Sequence, residues 1–220
     1  MSESSIEEIF QKLNIPQGER LVSVSRAEGT FIHQWIREHQ LNTTLEVGLA
    51  YGASAASILS AHDGTHTCMD PFQQKTYQNI GLENLQTLGY QDRFLFHEDF
   101  SHNVLPKLHA EHRKYDFIFI DGSHDFDCMF VDFYYANLVL SQNGYVLFHD
   151  SWMRSTQLVA SYIRRNRSNY KQIPGVGLNL ILFQKAGERR AAWDDFHEFY
   201  SLRGMLSHTF VRMMMRLFKR

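Results

Sequence analysis

The chain has 220 residues, of which 44% are hydrophobic and 21% charged, so it can bury one sizeable core without disulfides or a structural metal. Its only two cysteines, Cys68 and Cys128, lie far apart, which excludes a disulfide framework and a zinc ribbon. The formal net charge is −2, from 22 basic and 24 acidic residues. This balance gives no electrostatic signature of nucleic-acid binding, so no nucleic-acid partner is expected.

The start of the chain, MSESSIEEIF, is acidic and does not resemble a secretory signal. No run approaches the 18 consecutive apolar residues of a membrane span. The sequence therefore predicts a cytoplasmic protein without a transmembrane segment.

Short apolar runs alternate with longer segments of helical periodicity between residues 43 and 185. This alternation is typical of βαβ units on a mostly parallel, doubly wound sheet. The predicted strands are Leu45–Gly48, His66–Met69, Phe94–His97, Asp116–Ile120, Tyr145–His149 and Leu178–Phe183. The predicted helices between them are Ala53–His62, Tyr77–Leu88, Asn103–Arg113, Phe126–Leu140 and Thr156–Asn166.

Two segments of this region carry extra information about the sheet. The run Tyr115–Asp121 is apolar without alternation, as expected of a central strand covered on both faces. The turn-rich piece Ile173–Gly177 leaves no room for a crossover helix before the last predicted strand. Because so short a link cannot join parallel strands, it predicts an antiparallel neighbour.

Helical segments flank this core on both sides. Ile6–Leu13 and Phe31–His39 are predicted helices, separated by Pro16, Gly18 and Gly29, and Ala191–Leu202 is another, with a further helical pattern after Gly204. The predicted organisation is one domain, with an N-terminal helical cap over residues 1–40, a core over 41–185 and a C-terminal helical extension over 186–220.

The last helical pattern, within residues 205–220, is amphipathic and basic. Leu206, Phe210, Met213 and Leu217 fall on one side of a helical wheel, and basic residues fall on the other. Two interpretations stay open. The helix docks on its own domain or on a second copy in a homodimer, or it makes peripheral contact with an anionic membrane.

The first predicted strand leads into a glycine-containing turn and then a helix. Gly48 and Gly52 allow a tight turn and close approach of a ligand to the backbone, and Ser54 follows at the start of the helix. Glu46 would repel a pyrophosphate but would pair well with an ammonium group. The dinucleotide fingerprint is incomplete, because Ala50 and Ala53 replace its second and third glycines.

Acidic residues also end the second and third predicted strands. Asp70 lies 22 residues after Gly48, where an acid can accept the hydroxyls of a ribose. Asp99 and Phe100 place an acceptor and an aromatic face where a nucleobase could bind. Three acids at successive strand ends thus match an amino group, a ribose and an adenine.

Taken in order, these motifs resemble those of class I S-adenosylmethionine-dependent methyltransferases. The resemblance rests on Glu46–Ser54 (EVGLAYGAS), Asp70, His97–Phe100 (HEDF) and Tyr115–His124 (YDFIFIDGSH), and covers about residues 41–185. Within that class, IDGSHDF and GYVLFHD are most similar to bacterial small-molecule O-methyltransferases, relatives of the catechol and macrolide-sugar enzymes.

The resemblance implies a Rossmann-like sheet of seven strands, the last antiparallel, and methyl transfer to a hydroxyl oxygen of a small molecule. It implies that S-adenosylmethionine is the cofactor. Glu46 would then bind the amino group, Asp70 the ribose and Asp99 the adenine. The remaining cofactor-binding residues would be Gly48, Gly52, Ser54, Phe100 and Asp121.

The densest polar cluster combines Asp121, His124, Asp125 and Asp127, after the fourth strand, with His149 and Asp150, after the fifth. The candidate catalytic residues among them are Asp121, His124, His149 and Asp150. Asp121 and Asp150 match metal ligands of the catechol-type enzymes, so Mg²⁺ could activate the acceptor hydroxyl. However, Ser151 stands where those enzymes have asparagine. Alternatively, His124 or His149 acts as the general base without a metal.

Two other functions remain as alternatives at this stage. A nicotinamide-dependent oxidoreductase would use the same first turn, but it has no use for Glu46. A non-catalytic S-adenosylmethionine-binding protein would keep Glu46, Asp70 and Asp99 without needing the polar cluster.

Overall fold

The computed structural model describes residues 3–187 and 195–199. The helices are α1 Glu3–Lys12, α2 Arg26–Glu38, α3 Ala53–Leu59, α4 Ile80–Thr87, α5 Ser101–Ala110, α6 Phe126–Val139 and α7 Arg154–Asn166. The strands are β1 Thr43–Val47, β2 Thr65–Met69, β3 Phe94–His97, β4 Tyr115–Ile120, β5 Leu140–Phe148, β6 Tyr170–Gln172 and β7 Ile181–Lys185. Short 3₁₀ helices span Gln17–Val22 and Gln91–Arg93.

The seven strands form one sheet in the order β3-β2-β1-β4-β5-β7-β6. The first five pair in parallel, and β7 is antiparallel to both β5 and β6. The predicted Rossmann-like, doubly wound α/β fold with an antiparallel last strand is therefore confirmed. Chain order reverses between β1 and β4, which is where ligands bind in folds of this kind.

The central strand β4 shows how the sheet is covered. Ile118 and Ile120 pack in a core cluster with residues of α5, α6 and α7. Phe117 and Phe119 pack on the other face with residues of α2 and α3. Helices thus cover both faces, as the unbroken apolar run of this strand predicts.

The sheet differs from the prediction at its antiparallel edge. The short strand Tyr170–Gln172 was not predicted, and with β7 it forms a hairpin around the turn-rich piece after residue 172. The last strand begins at Ile181 rather than at Leu178. Leu178 belongs to the turn because its φ is 56°, a left-handed value incompatible with a strand.

Helix α2 begins five residues before its predicted start at Phe31. Ser25 and Glu28 form a capping box, which satisfies the free N–H groups of the first turn. Gly29 does not separate helices but lies inside α2, where a Cβ atom would come within 2.6 Å of the Ser57 hydroxyl. Glycine here allows α2 to pack closely against α3.

The C-terminal prediction is mostly outside the described residues. Of the predicted helix Ala191–Leu202, residues 195–199 are described, and they are not helical. They lie along α7 because Asn166 exchanges two hydrogen bonds with the backbone of His197 and Ser161 donates to the Phe199 carbonyl. The helical pattern after Gly204 lies outside the described residues.

Candidate active site

A cavity of about 650 Å³ opens at the carboxyl ends of the parallel strands. The loops after β1, β2, β3, β4 and β5 all contribute to its wall, and Ser23 and Val24 add to it from the segment before α2. The lining is mostly apolar with convergent polar groups, and its volume lies in the range of about 300–1,000 Å³ that is usual for ligand sites.

The turn after β1 brings the backbone of two loops together. Gly48 has φ 93°, and a Cβ atom there would lie 2.2 Å from the Asp121 carbonyl oxygen. Gly52 has φ 79° and immediately precedes α3. Gly48 and Ser54 line the cavity. The turn that was predicted to hold the cofactor therefore forms part of the cavity wall.

Glu46 lies below this wall rather than on it. Its side chain is fully buried, and its Oε2 is 3.0 Å from Nε2 of His66. Burial raises the pKa of Glu46 well above its ordinary value. Ser54 lies beside the carboxyl group and lines the cavity.

Asp70 lines the cavity and also organises the first turn. Its Oδ2 accepts hydrogen bonds from the backbone N–H groups of Leu49, at 3.0 Å, and Ala50, at 2.9 Å. Its Oδ1 accepts one from the Phe72 N–H at 2.8 Å. Oδ2 also accepts a hydrogen bond from Gln73 Nε2 at 3.3 Å. Capacity for a ribose hydroxyl therefore remains on Oδ1, which has one donor.

The two residues predicted to contact adenine are placed differently. Phe100 lines the cavity, is 46% exposed and meets Phe72 edge to face. Asp99 is outside the lining and accepts hydrogen bonds from Asn103 and the Phe100 N–H, which lower its pKa. Ser101, which the sequence did not single out, lines the same end of the cavity.

The four candidate catalytic residues of the predicted polar cluster come together at the opposite end. His124 Nε2 lies 2.7 Å from Asp150 Oδ2 and 4.0 Å from Asp121 Oδ1. His149 Nδ1 lies 3.1 Å from Asp121 Oδ1. The hydrogen bond with Asp150 raises the pKa of His124.

Glu28 is a further member of this cluster that sequence reasoning missed. It is buried at the start of α2, and its Oε1 lies 3.4 Å from His149 Nε2. Burial lowers the pKa of His149, but Asp121 and Glu28 outweigh it and raise the pKa to about 10. His149 is therefore an imidazolium with a carboxylate at each ring nitrogen. The spacing Ser25-x-x-Glu28 was a visible capping signal, although it does not reveal the contact with His149.

The residues of the cluster fit a divalent ion. Asp121, His124 and Asp150 each offer one ligand atom, and these atoms lie within 4.8 Å of one another. Carboxylate oxygens suit Mg²⁺. Ser151 is directed elsewhere, since its hydroxyl donates to Asn179.

The cavity also fits the cofactor that the motifs imply. Gly48, which has no side chain, lets a ligand approach the backbone closely. Asp70 can accept a further hydrogen bond, and Phe100 offers an aromatic face. In addition, Glu46 Oε1 is buried without a hydrogen-bond partner among the described residues.

Comparisons with known proteins give the same class. Residues 45–151 match the family described as a methyltransferase domain. No curated protein sequence matches the chain. Among solved structures, an O-methyltransferase from Bacillus cereus in complex with SAH has a TM-score of 0.63 at 17% identity, covering 85% of this chain and 92% of that one.

Two further solved structures are similar. TomG, an O-methyltransferase from Streptomyces achromogenes involved in tomaymycin synthesis and solved with SAM, has a TM-score of 0.64 at 17% identity, covering 84% of this chain and 89% of its own. SAH-bound methyltransferase PaMTH1 from Podospora anserina has a TM-score of 0.64 at 15% identity, covering 84% and 87%. At these identities the likeness establishes the fold.

The fold and the cavity at its switch point agree with the class that the motifs indicate, and residues 45–151 match a methyltransferase domain. Solved methyltransferases in complex with SAM or SAH share this fold. Among the described residues, no helix is long and apolar enough to cross a membrane.

Proposed function

We propose that the enzyme methylates a hydroxyl oxygen of a small molecule, with His124 as the general base. The observation that carries this proposal is the His124–Asp150 pair, 2.7 Å apart on the cavity wall. Asp150 accepts a hydrogen bond from the Nε2–H of His124, which leaves Nδ1 unprotonated and free to accept the proton of a hydroxyl. His149 is less suited, because both of its ring nitrogens face carboxylates.

S-adenosylmethionine supplies an activated methyl group on a positively charged sulfur. Asp70 binds the ribose, Phe100 contacts the adenine, and the turn from Gly48 to Ser54 holds the methionine portion beside Asp121. The acceptor enters at the His124 end of the cavity. Most of the acceleration comes from holding the oxygen, the methyl group and the sulfur in line, and proton removal adds to it.

Asp121 and Asp150 are also the proposed ligands of Mg²⁺, with His124 within reach of the same point. A bound divalent ion would lower the pKa of the acceptor hydroxyl. The two routes are separated by a strong chelator, since only the metal route loses activity when the ion is removed.

The acceptor class is proposed from the site and its neighbours. The cavity is of small-molecule size, and TomG, one similar structure, is involved in tomaymycin synthesis. A sugar or a phenolic natural-product precursor therefore suits this enzyme. A cytoplasmic location, a homodimer and peripheral membrane contact through residues 205–220 remain predictions.

Calorimetric titration with S-adenosylhomocysteine and with NAD tests the cofactor assignment. We expect the protein to bind the sulfur ligand and not NAD. A nicotinamide-dependent oxidoreductase has no use for Glu46, and the dinucleotide fingerprint is incomplete. Binding of NAD alone would favour the oxidoreductase alternative. Methyl-labelled S-adenosylmethionine, offered with catechol and monosaccharide acceptors, then tests transfer. Tight cofactor binding without transfer to any hydroxyl would favour the non-catalytic alternative.

A further inference from the structure

A line of buried polar side chains runs from the loop after α3 to the floor of the cavity. His62, Thr44, His66 and Glu46 are each at most 8% exposed. Consecutive members are in hydrogen-bond contact, at 3.1 Å between His62 and Thr44, 2.9 Å between Thr44 and His66, and 3.0 Å between His66 and Glu46. We refer to these four residues as the buried chain.

One end of the buried chain fixes its direction. The backbone N–H of Gly64 donates to His62 Nδ1 at 3.0 Å, so this nitrogen must be an acceptor. Burial lowers the pKa of His62 to about 4, and the ring is therefore neutral. Its single proton is on Nε2, which donates to the Thr44 hydroxyl.

The Thr44 hydroxyl passes this direction on. Having accepted from His62, it has one proton to donate, and His66 Nδ1 at 2.9 Å is closer than the Thr65 carbonyl at 3.5 Å. Burial lowers the pKa of His66 to about 3, so this ring is also neutral. Its proton is then on Nε2 and points at Glu46 Oε2.

The other end of the chain meets the cofactor site. His66 satisfies Glu46 Oε2, whereas Oε1 is buried without a hydrogen-bond partner among the described residues. A buried carboxyl oxygen of this kind requires a partner. Burial raises the pKa of Glu46, and a bound ammonium group would oppose this shift and favour the ionised carboxyl. Ser54 lies beside the carboxyl group and lines the cavity, so the methionine end of a bound cofactor lies on the same side.

We propose that His62, Thr44 and His66 are positioning residues, whose directed hydrogen bonds hold one oxygen of Glu46 and turn the other toward the methionine portion of the cofactor. The inference rests on the proposed cofactor site and extends it to three side chains that do not line the cavity. His66 acts by selecting one orientation of Glu46, and Thr44 acts by selecting one tautomer of His66.

Thr44→Val tests the chain, because valine keeps the shape of threonine and removes only the hydroxyl. Calorimetry should compare S-adenosylhomocysteine with 5′-methylthioadenosine, which lacks the amino-acid portion. We expect the affinity for S-adenosylhomocysteine to fall about threefold to tenfold, because the variant loses one hydrogen bond that orients Glu46. The affinity for 5′-methylthioadenosine should not change, since it makes no contact near Glu46.

Thr67→Val is the matched control. Thr67 is equally buried, on the neighbouring strand β2, and its hydroxyl contacts Tyr115 outside the buried chain. The Thr67→Val substitution should leave the affinities for S-adenosylhomocysteine and 5′-methylthioadenosine unchanged. Equal weakening of the two ligands by Thr44→Val, or no weakening of either, would overturn the positioning role. A wild-type protein that binds neither ligand would instead overturn the proposed cofactor site on which the inference depends.

Nitrogen NMR of the histidine side chains tests the direction in the free protein, independently of any ligand. We expect His62 and His66 to be neutral with the proton on Nε2, and Thr44→Val to move or mix the His66 tautomer. A wild-type His66 with its proton on Nδ1 would reverse the chain and overturn the proposal.

Discussion

At the scale of single residues, the site uses carboxylates for two purposes at once. Asp70 holds the backbone of the first turn and faces the cavity. Glu28 caps α2 through Ser25 and contacts His149. The contacts of Asp70 with the first turn and of Glu28 with His149 join residues that are far apart in the chain. An acidic residue is therefore recognisable from the sequence, whereas its structural contacts are not.

The proposed base gives the first residue-scale prediction. His124→Gln should lower the single-turnover rate of methyl transfer about 10²–10⁴-fold, because it removes the imidazole that is proposed to take the hydroxyl proton. The affinity for S-adenosylhomocysteine should stay within about twofold, because His124 lies at the acceptor end. Quenched-flow measurement with labelled cofactor gives the rate, and His109→Gln, on an exposed position of α5, serves as the control. An unchanged rate would remove His124 from the mechanism.

At the scale of elements, the approach of the β1 turn to the β4 loop depends on one glycine. Gly48 combines a φ of 93° with a Cβ position 2.2 Å from the Asp121 carbonyl oxygen. Gly48→Ala should therefore destabilise the protein by about 3–5 kcal/mol and abolish cofactor binding, since the two loops must separate. Urea unfolding and calorimetry measure the two effects.

Gly89→Ala separates steric conflict from backbone strain. Gly89 has φ 79°, but nothing lies within 4 Å of its Cβ position. Here we expect only the cost of a left-handed residue, about 1–2 kcal/mol, and normal cofactor binding. If both variants lost the same stability, the contact with Asp121 would not be the reason for glycine at position 48.

Elements with strong local signals were predictable, and those defined by long-range contacts were not. β4 was clear because an unbroken apolar run requires cover on both faces. The start of α2 was missed although its capping box is local, because Gly29 suggested a break and its packing against Ser57 is long-range. β6 has only three residues, Tyr170–Gln172, and exists because β7 pairs with it.

The site follows the same division. Strand order and motif spacing were sufficient to predict that His124 and Asp150 would meet, because adjacent parallel strands end at one edge. The contact of Glu28 with His149 joins residues far apart in the chain, so no spacing encodes it. The contact of Asp99 with Asn103 is local, four residues apart at the start of α5, and was overlooked because Asp99 was assigned to the adenine.

At the scale of the whole molecule, buried titratable groups couple folding to pH with opposite signs. Burial lowers the pKa of His33 to about 4, as it does for His62, so these rings disfavour the folded state once the unfolded chain takes up protons. Burial raises the pKa of Asp132 to about 6, so this carboxyl favours the folded state over part of the same range. The pH dependence of stability is therefore the sum of opposing contributions from these groups. Single substitutions are needed to separate them.

His33→Gln isolates one of these terms. In the wild type, the unfolded chain protonates His33 near pH 6.5 and the folded protein only near pH 4, so between these values the unfolded chain binds one more proton. As the pH is lowered through this range, the free energy of unfolding of the wild type must then decrease relative to that of the variant, by about 1.4 kcal/mol per pH unit. At pH 7.5 the variant should be the less stable protein, because His33 Nδ1 is 2.8 Å from the Ser60 hydroxyl in a buried hydrogen bond. Toward pH 5 the difference should shrink or change sign. Urea unfolding at the two pH values measures it, and His109→Gln should show a difference that does not vary with pH. A constant deficit of His33→Gln would mean that folding does not shift the pKa of His33.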